Sequence, residues 1–137
     1  MPTFEQAYDA LLTQIKTQLD VSQASLPIAW PNIDYNPSEG TSWARVTILG
    51  GESRIASIGI VGSRRYRAVG TVSIQIFVPS GQGANVGLAI ADDIAAALRG
   101  VTTSGVVLMA TTISPVGRDG AYYQINTSTP FRYDTIA

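Results

Sequence analysis

Apolar and polar positions follow two rhythms along this chain, and each marks an element. Over the first twenty residues Phe4, Tyr8, Leu11, Leu12, Ile15 and Leu19 recur at helical spacing, with Glu5, Asp9, Thr13 and Lys16 opposite. Thr3, followed three residues later by Gln6, supplies a capping box at the helix start. Residues 20–41 lose periodicity around Pro27, Pro31 and Pro37, leaving only a short edge strand at Ile28–Trp30. From Ser42 to Leu49 the period changes to two, with Ala44, Val46 and Ile48 facing away from Trp43, Arg45, Thr47 and Leu49. Gly50-Gly51 is expected to break this strand. Residues 52–67 mix Ile55, Ile58, Ile60 and Val61 with glycines and arginines, the mark of a long hairpin arm or ordered loop.

Strict alternation returns from Thr71 to Val78, the clearest strand in the chain. Pro79-Ser80-Gly81 turns into a second helix expected over Gln82–Arg99, closed by Gly100 beyond its last turn. Val106–Ile113 is predicted as one strand and Ser114–Gly120 as a turn built on Asp119-Gly120. In the last strand Tyr123, Ile125, Phe131 and Tyr133 share one face, with Gln124, Asn126 and Arg132 on the other, and Pro130 marks a bulge or an edge. This order predicts an α+β fold: a mixed, mainly antiparallel β-sheet with two main helices packed on it and an extended hairpin arm. At 137 residues the chain is expected to form a single domain over 1–137.

Composition changes the picture in two places. Only 14% of residues are charged, against about 25% in an average domain, a hint that partners cover part of the surface. The net charge of −1 gives no general attraction to nucleic acid or acidic lipid, yet Arg45, Arg54, Arg64, Arg65 and Arg67 cluster with Glu52 as the only acid among them. The N-terminus enters an amphipathic helix directly, so no signal peptide is expected, and no apolar run is long enough to span a membrane.

Candidate chemistry is sparse. There is no cysteine and no histidine, which removes thiolate nucleophiles, cysteine zinc sites and any Ser-His-Asp triad. Gly81-x-Gly83-x-x-x-Gly87 sits between a strand and a helix as a dinucleotide loop would. Its spacing lacks the third glycine of that motif, and the alternating strand before it does not suit a buried parallel sheet. Asp92 and Asp93 point about 100° apart on a helix and read as a solvated face rather than a paired acid-base site or a divalent-cation site. No catalytic residue, cofactor or metal site is therefore expected. Arg64, Arg65, Tyr66 and Arg67 combine charge with an aromatic ring, as a protein–protein contact does.

Four blocks resemble the tail terminators of long-tailed bacteriophages, of the minor tail protein U type. They are Trp43-Ala44-Arg45; Arg65-Tyr66-Arg67 with Gly70, Val72, Ile74, Ile76-Phe77, Pro79, Gly81 and Gly83; Ala91-Asp92-Asp93-Ile94 with Gly100; and Val116-Gly117 with Asp119-Gly120, Tyr122-Tyr123-Gln124, Asn126 and Pro130-Phe131-Arg132-Tyr133-Asp134. Leu98 departs from the family pattern, which has phenylalanine there. The resemblance implies a structural, non-enzymatic siphovirus-like virion protein, made in the host bacterial cytoplasm and placed at the neck-proximal end of the tail. It implies a ring of copies of itself, a hexamer, that caps the tail tube, stops its polymerisation and meets a head–tail connector or neck protein. DNA would only pass through the lumen, and no membrane is involved. Arg54, Arg64, Arg65, Tyr66 and Arg67 are the residues expected to touch the tube or a neighbouring subunit. The alternatives are a head-completion or neck connector protein, or a small nucleotide- or ligand-binding module at Gly81–Gly87. Reversing Arg65 and Arg67 to glutamate is expected to abolish tail joining while leaving the fold intact, scored as attached tails in micrographs.

Overall fold

The computed structural model describes residues 2–37, 40–81 and 83–137. Its centre is a pair of long strands. The second and third strands, β2 (Trp43–Ile55) and β3 (Arg65–Pro79), form a hairpin, and β3 also pairs along its whole length with the last strand, β7 (Tyr122–Ile136). Around them lie α1 (Phe4–Ser22), the short parallel edge strand β1 (Ile28–Ala29), α2 (Asn85–Leu98), β4 (Thr102–Thr103), β5 (Val106–Leu108) and β6 (Thr112–Asp119). The sheet order is β1-β2-β3-β7-β5-β4, with β6 also against β7. All pairings except β1·β2 are antiparallel. The expected α+β class, its mainly antiparallel sheet and its two helices are all present.

Both helices cover one face of the sheet. Ala44 and Val46 of β2, Val72, Ile74, Ile76 and Val78 of β3, and Ile125 and Phe131 of β7 are buried against Ile90, Ala91 and Ile94 of α2 and Leu11, Ile15 and Leu19 of α1. Two threonines share this face and are satisfied: Thr127 Oγ1 donates to the Ile74 carbonyl at 3.1 Å, and the Thr129 and Thr111 hydroxyls lie 2.8 Å apart. The α1 capping box forms as its sequence dictates, with Gln6 N donating to Thr3 Oγ1 at 3.2 Å and Thr3 N to Gln6 Oε1 at 3.0 Å. The helices are cross-tied where Gln14 Nε2 donates to the Ala97 carbonyl at 3.1 Å and Gln23 Nε2 to Asp93 Oδ2.

Four local expectations are corrected. Gly50-Gly51 does not break β2; pairing shifts register between Gly50 and Ser53 and continues to Ile55, a bulge that re-aims the strand and lets it run on. The helix expected from Gln82 begins at Asn85, and Gln82 itself lies outside the described residues. The stretch expected as one strand over Val106–Ile113 is two, β5 and the start of β6, and the expected turn at Ser114–Gly120 is mostly β6, paired with β7 up to Asp119 opposite Tyr122. Pro130 explains the division. Its carbonyl accepts from Met109 N at 2.9 Å, so its missing N–H faces the same side, between the end of β6 pairing at Ser128 and the start of β5 pairing at Phe131. One strand thus serves two partners, and the proline sits where neither needs a donor.

Close approach at two glycines fixes the layers. A Cβ on Gly70 would lie 2.5 Å from both the Leu49 carbonyl oxygen and Phe131 Cζ, whereas one on Gly87 would meet the movable Ile125 Cδ1. Gly70→Ala is therefore expected to destabilise the fold by about 1–3 kcal/mol, and Gly87→Ala by less, because the Ile125 end can swing away. Urea midpoints of the two variants check the order.

Candidate assembly interface

Beyond Gly50, β2 and β3 extend as an arm whose first residues still touch the body, since Ala68 packs on the core beside Tyr133 and Thr135 Oγ1 donates to the Pro2 carbonyl at 2.8 Å. About six residues of strand carry it roughly 20 Å outward. Its root is three-stranded, because β7 stays paired with β3 to Arg65 opposite Ile136, and Arg64 and Ala137 exchange backbone hydrogen bonds of 3.1 and 2.9 Å. The tip, residues 56–64, is tied to itself: Ala56 N reaches the Arg65 carbonyl at 2.7 Å, Arg65 N the Ser57 hydroxyl at 2.9 Å, and Arg64 Nε the Gly59 carbonyl at 2.9 Å. It ends in apolar side chains held in water, with Ile55 55%, Ile58 107%, Ile60 76% and Val61 85% exposed. Apolar side chains grouped in water at the end of a projection are the composition of contact surfaces.

The five residues expected to form the interface all lie on this arm, but they do different things. Cross-strand register puts Arg54, Arg67 and Asp134 side by side on the sheet face away from the helices. Arg67 grips Asp134 with two hydrogen bonds, Nε to Oδ1 at 2.9 Å and a terminal nitrogen to Oδ2 at 3.1 Å, and Arg65 adds a third at 3.1 Å. Hydrogen bonding from Arg67, then from Arg65, holds the Asp134 carboxyl below the usual carboxylate range against the opposing effect of burial. Arg65 and Arg67 therefore lock the arm's root to β7. Arg64 is spent on the tip's own carbonyl, Tyr66 is half-buried on the other face, and Arg54 makes none of the ion pairs among the described residues. Charge reversal at Arg65 and Arg67 would set two glutamates against Asp134, so it tests the arm's root as much as its surface. Asp134 is the residue that sequence reasoning missed as a site residue; the signal is its place two residues from the end of a strand whose partner carries Arg65 and Arg67.

A second surface was also missed. On the sheet face away from the helices Trp43, itself only 6% exposed, stacks on Phe77 with ring centroids 4.3 Å apart, and the Arg45 guanidinium lies over both rings at 5.3 and 5.7 Å. Tyr122 meets the pair edge-on at 6.4 and 6.3 Å, and Tyr35 leans on Trp43 at 5.4 Å. Trp, Tyr and Arg are the side chains that dominate contact energetics. Trp43 and Arg45, two apart on a strand, could have been paired from sequence, but Phe77 joins only through the β2·β3 register.

The glycine loop at Gly81–Gly87 has a structural account. Gly81 and Gly83 take positive φ of 90° and 78° to turn the chain, and Gly87 lets α2 approach Ile125. The strand before it lies in antiparallel pairings, not at the parallel crossover where dinucleotides bind. Among the described residues no group of His, Cys, Asp or Glu could hold a metal ion, and no helix is long and apolar enough to cross a membrane.

Residues 6–131 match the family described as phage tail terminator protein. The chain belongs to that family. A tail terminator is a structural component of a bacteriophage tail and of the virion, and it assembles there with other tail and head-joining proteins. Solved structures share the fold, among them two described by their alignments. One aligns with a TM-score of 0.73 at 14% identity, over 97% of this chain and 96% of its own. The other, a chain from the virion of a native gene transfer agent particle, aligns with a TM-score of 0.52 at 16% identity, over 94% of this chain and 93% of its own. No curated protein matches by sequence.

The folded-state Asp134 carboxyl is lowered, so its contribution is complete above its unfolded pKa of about 3.9 and is lost as pH falls through the folded value. Asp134→Asn is therefore expected to lower the urea midpoint at neutral pH, with the gap to the natural chain closing below about pH 4. A gap that is constant from pH 7 to pH 2 would show that the ion-pair cluster adds nothing.

Proposed function

We propose that this tail terminator acts as one domain over residues 1–137, closes with copies of itself into a ring of six, caps the finished tail tube at its neck-proximal end, stops tube polymerisation and offers its other face to the head-joining protein. The observation that carries the reading is the arm: a projection with a locked root and an apolar, arginine-bearing tip that the body of the chain leaves uncovered. A protein that works by covering a surface needs such a feature and needs no reacting groups. Ring closure requires two different patches per subunit, one fitting the other on the next copy. Arg54, Arg64, Arg65, Tyr66 and Arg67 belong to the contact with the tube or the neighbour, with Arg54 and the tip touching the partner and Arg65 and Arg67 holding them in place. DNA passes through the lumen without specific recognition, and the chain is made in the bacterial cytoplasm before joining the virion.

Micrographs of particles made without this protein test the reading. Tails of undefined, excess length are expected, because nothing ends tube growth. Tails of normal length that stay detached from heads would instead make the chain a head-completion or neck connector protein. Arg54→Glu is expected to reduce the fraction of joined tails while leaving the unfolding free energy from urea titration within about 0.5 kcal/mol of the natural chain, since it breaks no ion pair among the described residues.

A further inference from the structure

We propose that the tip of one subunit's arm seats in a groove on a second copy of this chain, between α1 and the turn that follows β1. The groove has a volume of about 290 Å³ and is lined by Leu12, Thr13, Lys16, Trp30, Pro31 and Ile33. Its wall is a built feature. Ile33 N donates to the Trp30 carbonyl at 3.2 Å across a turn with Pro31 and Asn32 at its corners, and Asn32 takes a positive φ of 57°. That turn holds Ile33 65% exposed beside Leu12 and Trp30. The proposal rests on the self-assembly reading above and names which two surfaces meet.

Three observations choose the occupant. The first is chemical: Ile58, Ile60 and Val61 form an apolar knob in water, and the groove is the matching apolar recess. The second is geometric. The α1 helix starts beside the arm's root, where Phe4 lies 3.6 Å from where a Gly50 Cβ would sit. It then runs the opposite way from the arm, since the chain beyond it meets the start of β2 where Ala44 N donates to the Pro27 carbonyl at 3.0 Å. Leu12 is eight residues up that helix, about 12 Å from Phe4, while the arm projects roughly 20 Å the other way. A subunit's own tip thus cannot reach its own groove without unpairing β2, β3 and β7, and a second copy brings both halves of the fit in a head-to-tail contact. The third is charge. Lys16, the one charged residue that lines the groove, is paired with Asp20 at 3.2 Å, and Asp34 follows Ile33 at its rim, whereas the arm carries Arg54, Arg64, Arg65 and Arg67 against Glu52. Asp134 offsets one arm charge, and the opposite signs survive it. Opposite potentials favour this pairing over tip-to-tip contact.

The absence of native cysteine makes the contact directly measurable. Full-length chains carrying Ile60→Cys and Ile33→Cys together, treated with a short bismaleimide both as concentrated protein and in assembled particles, are expected to give a ladder of covalent multimers on a denaturing gel. Each single variant, with no thiol opposite its own, is expected to stay a monomer on the gel. In parallel, Ile60→Asp and Ile33→Asp are each expected to abolish self-association by light scattering, and a mixture of the two to form dimers and nothing larger, because one intact contact remains per pair. Rings or terminated tails that form while the double-cysteine chain gives no ladder would overturn this docking and leave the ring standing. A thiol-attached photo-cross-linker at position 60 that captures the tube protein alone would overturn it in the same way. No self-association of the natural chain, either free or in particles, would overturn both the docking and the ring.

Discussion

The ladder between β3 and β7 organises every other part of the molecule. It runs without interruption from Arg65 opposite Ile136 to Pro79 opposite Tyr122. Its inward side chains are the floor of the core, and α2 lies on them with Gly87 against Ile125. At its far end the same ladder continues past the body and becomes the root of the arm. The alternation of a strand makes this economical: one register places Val72, Ile74, Ile125 and Phe131 under the helices and, on the opposite face, Arg67 against Asp134. A slip of one residue would turn the apolar set to water and break the arm's ion pairs together.

Charge on the arm divides into a structural part and a part left for contact. Guanidiniums stacked across neighbouring strands repel, and Asp134 resolves this by accepting three hydrogen bonds from two of them. What stays available outward is Arg54 and the isoleucines of the tip. The sheet face away from the helices carries a second aromatic cluster, in which Arg45 is exposed over the buried Trp43 and the half-buried Phe77.

Much of the fold was legible because its signals are local. The α1 capping box, the alternation from Thr71 to Val78, and Gly100 beyond the end of α2 each depend on residues within a turn or two of one another, and each appears as expected. Ser104-Gly105 was equally local and went unread: both residues take positive φ, 49° and 83°, in the two-residue turn that joins β4 and β5. Errors gathered where a partner strand decides the outcome. Residues 114–118 have the proline, glycine and polar residues of a loop and are strand because β7 offers them a ladder, and Gly50-Gly51 bends β2 without ending it because β3 continues on the other side.

By itself the sequence determined the class of the fold, the existence of an arm, the absence of histidine and cysteine chemistry, and the position of the arginines along the chain. Those follow from periodicity and composition, which are properties of neighbours in the chain. Only the tertiary structure decided what the arginines do, that Phe77 completes a platform with Trp43, and that the arm points away from the groove beside Leu12. The physical reason is register: which residue on one strand faces which on another is fixed by burying a whole apolar face at once, and no local stretch of the chain contains that information.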